Sequence, residues 1–325
     1  MKTKILYRVT MITAMAGIIY ACNKSNTSTS NTSGQSTANL QTQSDDQARV
    51  GNESDAVAND VNVTLASPGA DGTTGAGFHS GVKTAGATPI NSLICDATVT
   101  LDSVARIITI TYNGSNCSGT RTRTGTVVIT LPATKRWSDT GAVITVNIQN
   151  LKITRLSDNK SITLNGTHIY TNVTGGRLAD LPTRGTIVHT IVGDSMSITF
   201  DDGSQRKWNF ARKRTFSFNN GAPTITIAGM HSDGTNSGVS EWGTTRFGNA
   251  FETIITQPLI FSYACNFRLT TGAEAIIRPD ITVNITFGLD ATGKPTTCPG
   301  AGASYYFQAT WVATGGKSGS VIWPY

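Results

Sequence analysis

From about residue 90 onward, apolar side chains alternate with polar ones, and the polar partner is most often threonine. The runs Ile108-Thr-Ile-Thr, Val127-Val-Ile-Thr-Leu131, Val143-Ile-Thr-Val-Asn-Ile148, Met196-Ser-Ile-Thr-Phe200, Ile281-Thr-Val-Asn-Ile-Thr-Phe287 and Tyr305-Tyr-Phe-Gln-Ala-Thr-Trp311 all keep a period of two. That period predicts strands with one buried and one wet face. Threonine, polar yet β-branched, suits the wet face. Asn113-Gly, Asn165-Gly, Asp202-Gly, Asn220-Gly and Asp233-Gly read as turns between them. Short strands without helical periods predict an all-β antiparallel meander over residues 91–325, forming a β-sandwich or a barrel-like curved sheet.

The preceding chain has a different texture. Residues 22–43 are dominated by Ser, Thr, Asn, Gln and Gly. Such a segment buries too little apolar surface to offset its ordering entropy, which predicts a disordered tether. Residues 44–90 divide into a short helix and a loop. Ser44-Asp-Asp-Gln47 offers an N-cap, and Val57 and Val61 share a face of a helix over 44–64 whose apolar stripe is thin. From 66 to 90, recurrent glycines (Gly69, Gly72, Gly75, Gly77, Gly81, Gly86) predict an irregular loop.

The first 21 residues place the chain outside the cytoplasm. Lys2, Lys4 and Arg8 precede an apolar run from Val9 to Ala21 that is interrupted only by Thr10 and Thr13. A basic start and a short apolar core form a signal peptide, and the run is too short for a span, which takes about 20 apolar residues. Ile19-Tyr20-Ala21-Cys22 resembles the lipobox of bacterial lipoproteins. The resemblance implies acylation of Cys22, and several acyl chains hold a protein on a membrane where one does so only marginally. Asn23 stands where that resemblance would place a retaining Asp, which implies the outer membrane. Surface export of lipoproteins of this resemblance uses acidic residues just after the cysteine, and no acid occurs between Cys22 and Asp45, so the resemblance implies the periplasmic face and leaves the outer surface open.

With Cys22 assigned to lipid, Cys95, Cys117, Cys265 and Cys298 remain. An even count in an exported chain predicts two disulfides, with three pairings available. Residues 97–101 and 106–112 read as a hairpin with Cys95 at its open end and Cys117 just past the other strand, so a bridge between them would close it. Cys265 and Cys298 flank the strand 281–287 and are expected to pair likewise. There is no Cys-x-x-Cys for zinc. The net charge of +6 does not indicate nucleic acid: charged residues are 14% of the chain, and the signal peptide carries three of the positive charges.

The run from Cys95-Asp-Ala-Thr-Val-Thr-Leu-Asp through Ile108-Thr-Ile-Thr-Tyr-Asn-Gly-Ser-Asn-Cys117 leads into Gly119-Thr-Arg-Thr-Arg-Thr-Gly125. Together with Gly234-Thr-Asn-Ser-Gly238 and Gly288-Leu-Asp…Cys298, it resembles a group of uncharacterised Bacteroidetes lipoproteins over most of residues 90–310. The resemblance implies a lipid-anchored, disulfide-stapled β-domain and says nothing of an activity.

No catalytic, cofactor or metal constellation stands out. His79 and His231 fall in glycine-rich stretches. His168 and His189 lie on strands, where they read either as a pair brought together or as ordinary strand histidines. There is no Gly-x-Ser-x-Gly elbow. Asp201-Asp202 precedes Gly203 as turn chemistry does, and the segment 233–241 departs from the EF-hand pattern. The most distinctive stretch is 205–218, where Arg206, Trp208, Phe210, Arg212, Arg214, Phe216 and Phe218 share one face of a strand. Arg206, Trp208, Arg212 and Arg214 form a candidate binding surface for an acidic glycan, lipid or protein. The alternative is a core strand whose arginines snorkel to solvent at an edge. The expected function is a non-enzymatic envelope lipoprotein, its partners the membrane (through the lipid) and an envelope glycan, lipid or protein. The alternatives are an envelope polysaccharide hydrolase and a lipid or lipoprotein carrier. A carrier would need a curved sheet around an apolar cavity.

Overall fold

The computed structural model describes residues 37–67, 94–117, 119–219, 222–265, 268–298 and 304–325. The expected signal peptide, Cys22, the loop expected from residue 66 beyond Ser67, Asn220-Gly221 and His79 lie outside the described residues. One long helix, α1 (Thr37–Ala66), precedes fifteen strands. The first seven are β1 (Ala97–Asp102), β2 (Ile107–Ser115), β3 (Arg121–Thr130), β4 (Ala142–Arg155), β5 (Ser161–Asn172), β6 (Thr186–Phe200) and β7 (Gln205–Asn219). Next come β8 (Ala222–Gly229), β9 (His231–Ser232), β10 (Ser237–Thr244) and β11 (Ala250–Ser262). The last are β12 (Arg268–Arg278), β13 (Ile281–Leu289), β14 (Tyr306–Ala313) and β15 (Ser318–Pro324). A one-turn helix, α2 (Leu181–Arg184), joins β5 to β6.

Each strand from β1 to β7 pairs antiparallel with the next, as does each from β10 to β15. The two runs join through β7 and β11, which share two partners in the gap between them. β10 pairs with the first half of each, and β8 with the second half. The all-β antiparallel expectation is met, in its curved-sheet form. Two of the glycine turn signals behave differently. Asn113-Gly114 and Asn165-Gly166 lie inside β2 and β5, and the β5 register shifts at Gly166. Gly166 has φ +139, and a Cβ there would run into Met196, so its glycine serves a bulge rather than a turn. Asp202-Gly203 and Asp233-Gly234 do sit in turns.

Residues 41–325 form one compact unit, and Thr37 to Leu40, helical as well, belong to the chain before it. The helix is longer than the expected 44–64 and takes in residues 37–43 of the expected tether. Its surroundings differ more than its length. Of the side chains described from Thr42 to Ser67, only Asn52 is exposed. Val50, Val57, Val61 and Leu65 form the apolar stripe, all fully buried. Apart from Ala58, the remaining buried positions are polar: Asp46, Gln47, Arg49, Glu53, Ser54, Asp60, Asn62 and Thr64 among them. A helix polar on most sides is stable only where ion pairs or hydrogen bonds engage it. The sheet supplies them on three fronts. Asp45, Arg49, Glu53 and Asp60, on one helical face, meet β3, β4 and the β4–β5 turn. Gln43 and Gln47 meet β12 and β10. Asp55 meets β7. Strands β3, β4, β7, β10 and β12 all reach one helix, so the sheet must curl around it.

Candidate functional site

The strand alternation that buries apolar residues in β2, β4 and β13 buries arginines in β3 and β7, because the inner face there meets a carboxylate-bearing helix. On β7, Arg206, Trp208, Phe210, Arg212, Arg214 and Phe216 all point inward, as their shared face predicts, while Lys207 and Lys213 are exposed. Arg206, Trp208, Arg212 and Arg214 are 3%, 2%, 6% and 2% exposed. The surface they form is turned onto α1 rather than to solvent, and the arginines do not snorkel out at an edge. Arg206 donates to Glu241 of β10 at 2.8 Å. Arg212 donates to the other oxygen of Glu241 and to Asp55 of the helix at 3.3 Å. Arg214 lies 3.5 Å from Asp55, and its Nε and Nη1 have no hydrogen-bond partner among the described residues. Gln47 of α1 donates to Glu241 at 2.9 Å, which closes the network across the helix.

Two further clusters hold the helix. Arg246, in the β10–β11 turn, grips Asp46 with Nε and Nη2 at 2.7 and 2.6 Å and lies 3.5 Å over the Phe200 ring. Arg123 of β3 grips Asp96 with Nε at 2.7 Å and Nη2 at 2.6 Å, and donates Nη1 to Asp60 at 2.6 Å. The Tyr112 hydroxyl donates to the same Asp60 oxygen at 2.9 Å. Cys95 is bonded to Cys117 and Cys265 to Cys298, as expected. The first bridge fixes Cys95 beside Asp96, whose carbonyl accepts from the Asn113 N–H at 2.7 Å.

Burial dominates the electrostatics. It raises the Asp46 and Asp60 carboxyls above the usual range despite their arginines. It also raises Glu274 of β12, helped by the Glu241 charge, to about 7. Glu274 borders a cavity of about 30 Å³ shared with Gln47, Asp55 and Arg212, room for a water or two. Burial, then the arginine charges, push His168 and His189 down to about 3. These two do not meet. His168 stands opposite Gly193, four residues along β6 from His189, roughly 13 Å of strand. His168 abuts Phe210 edge-on at 4.7 Å, across a glycine where a Cβ would strike that ring. His189 packs against Trp137 at 4.9 Å and Phe216 at 5.0 Å. They are packed imidazoles, and among the described residues no group of three potential ligands could hold a metal.

The other candidates resolve into local structure. Asp202 accepts from Ser204 and from Arg246. Asp233 accepts from the Thr235 and Asn236 amides at 2.8 and 2.5 Å, which is turn chemistry.

The outer face carries a feature that alternation had not flagged. Trp242 of β10, Glu252 of β11 and Ile277 of β12 are register partners in one row. With Gly243, Ala250 and Pro279 they line an open groove of about 450 Å³. The imidazole of His231 stacks on the indole of Trp242, centroids 4.0 Å apart and planes 18° apart. Asn236 donates to Glu252 at 3.2 Å. Arg278, which also borders the groove, is held by Asp280 at 2.7 Å and by Gln43. Strand β10 escaped the period-two reading because Gly238, Ser240 and Gly243 dilute its apolar positions; a lone Trp beside a buried Glu was the available signal. No helix among the described residues is long and apolar enough to cross a membrane. No family model, curated protein or solved structure matches this chain.

Proposed function

We propose that this chain is a non-enzymatic lipoprotein of the bacterial cell envelope, held by acyl groups on Cys22, that binds its partner through the outer face of its sheet. Membership of the Bacteroidetes lipoproteins it resembles is part of the same proposal. One observation carries the reading: α1 fills the concave face, and most of the arginines and carboxylates there are committed to one another. A carrier would keep that face apolar and open to cargo, whereas this face is charged and occupied. A hydrolase working from the same face would need carboxylates free to reach a sugar. Glu241 is engaged by Arg206, Arg212 and Gln47, and Glu274 faces a space of one or two waters. Binding therefore falls to the convex side.

The test uses the full chain in its own envelope. Palmitate labelling is expected on the wild type and absent from Cys22→Ala, which should leave the membrane fraction. Crosslinking of the anchored protein, followed by pull-down, is expected to recover a partner from outer-face positions such as Lys213. The purified protein should release no reducing ends from envelope polysaccharide. Measurable hydrolysis, or unlabelled wild type, contradicts the reading.

A further inference from the structure

We infer that the groove beside Trp242 is a binding site for a neutral pyranoside glycan, an inference that rests on the outward-facing binding reading above. Three features converge. The first is a flat aromatic surface at the groove wall. The C–H face of a pyranose packs on such a ring, and an indole offers the largest one. The second is rigidity. His231 stacks on the indole at 4.0 Å, which fixes the ring before any ligand arrives and reduces the entropy lost on binding. The third is a hydrogen-bonding edge in the same row. Glu252 is the direct cross-strand neighbour of Trp242, and its carboxylate accepts from Asn236 while retaining lone pairs for hydroxyl donors. An apolar wall with a few placed polar groups is the usual make-up of a small-molecule site, and about 450 Å³ lies within the size range of such sites.

Charge chooses among glycans. The free charge at the groove is the Glu252 carboxylate, because the Arg278 guanidinium is tied to Asp280 and Gln43. A uronic or sialic acid would be repelled by Glu252, and a neutral sugar would not. Protein partners are a separate class: in this row Trp242 and Ile277 stand on either side of the Glu252 carboxylate, and a protein hot spot favours a continuous desolvated cluster over an apolar pair split by a charge. The opening is wide and shallow, as suits an internal stretch of a polysaccharide rather than an enclosed monosaccharide.

The experiment is affinity electrophoresis of the detergent-solubilised full-length lipoprotein through gels containing α-glucan, β-glucan, mannan, galactan or polyuronate. Retardation by at least one neutral polymer and none by polyuronate is expected. Trp242→Ala should weaken it at least tenfold with an unchanged thermal unfolding midpoint, and Glu252→Gln several-fold. Should Trp242→Ala fail to fold, Glu252→Arg and Trp242→Phe serve instead, the first abolishing retardation and the second keeping most of it. Retardation that survives a folded Trp242→Ala or Glu252→Arg, or none by any neutral polymer, overturns the glycan site. If the envelope crosslink still captures a protein on the outer face, the broader reading stands without the glycan; if hydrolysis is seen, both fall.

Discussion

Nη1 of Arg123, on β3, donates to Oδ2 of Asp60, on α1, at 2.6 Å across a sequence separation of 63. The pair joins the helix to a sheet that contributes arginines from β3, β4, β7 and β12 to the same task. Arg123 also grips Asp96 and lies 4.3 Å over the Tyr112 ring, so one guanidinium serves two carboxylates and an aromatic face. Removing it would strand two buried charges. Arg123→Ala is expected to lower unfolding stability by about 3–5 kcal/mol, read from urea midpoints at constant slope. Asp60→Asn should cost less, because Asp96 still holds the arginine.

Arg212 and Arg214 separate stabilising from costly burial. Arg212 contacts Glu241 and Asp55, whereas Arg214 reaches only Asp55, at 3.5 Å, with two donor nitrogens unpartnered. A buried charge so poorly engaged costs more in desolvation than its pair returns. Arg214→Met should leave stability unchanged or raise it by about 1 kcal/mol, while Arg212→Met should lower it by about 3 kcal/mol. Thermal melts of both variants decide the comparison; equal losses would refute it.

The pH dependence of stability splits into opposing parts. Glu274, raised to about 7, binds its proton more tightly folded than unfolded. Its contribution is complete below the ordinary glutamate value and is lost as pH rises through about 7. His168 and His189, pushed down to about 3, act the other way: their contribution is present above the ordinary histidine value and is lost as pH falls toward about 3. Glu274→Gln should therefore flatten the stability change between pH 4.5 and 7 that acidification favours. The double variant His168→Phe, His189→Phe should unfold at lower pH than the wild type. Chemical denaturation across a pH series checks both signs.

The Cys95–Cys117 bridge closes a loop with a sequence separation of 22 and sets Asp96 beside Arg123. Replacing both cysteines by alanine should cost about 3 kcal/mol from loop entropy alone. A further loss is expected if Asp96 then shifts. Combining it with Arg123→Ala should give less than the sum of the two losses, since the two share a partner.

Much of the shell was legible in the sequence. Threonine alternation marked most strands, the inward face of β7 followed from its register, Cys95–Cys117 followed from hairpin closure, and Cys265–Cys298 from the strand the two cysteines flank. The position of α1 was not legible. Asp46, Glu53, Asp55 and Asp60 on a helix with a thin apolar stripe look like a solvated face, and only arginines 63 to 200 positions away turn them into a buried one. Partners on other elements, α1 and β10, also misled the reading of Arg206, Arg212 and Arg214. Asn165-Gly166 carried the composition of a turn, yet its glycine answers the close approach of Met196 within a bulge. The groove at Trp242 was hidden because three register-paired residues from three strands carry no linear motif.

The proposal that binding falls to the outer face depends on α1 filling the concave face, and hydrogen–deuterium exchange tests that most directly. A helix this polar would be marginal alone in water, so its amides can be protected only by the sheet around it. The account predicts that amides of residues 47–65 exchange as slowly as those of β5 and β6, through global unfolding. Exchange within seconds along that stretch, while the strands stay protected, would place the helix outside the sheet and contradict the account.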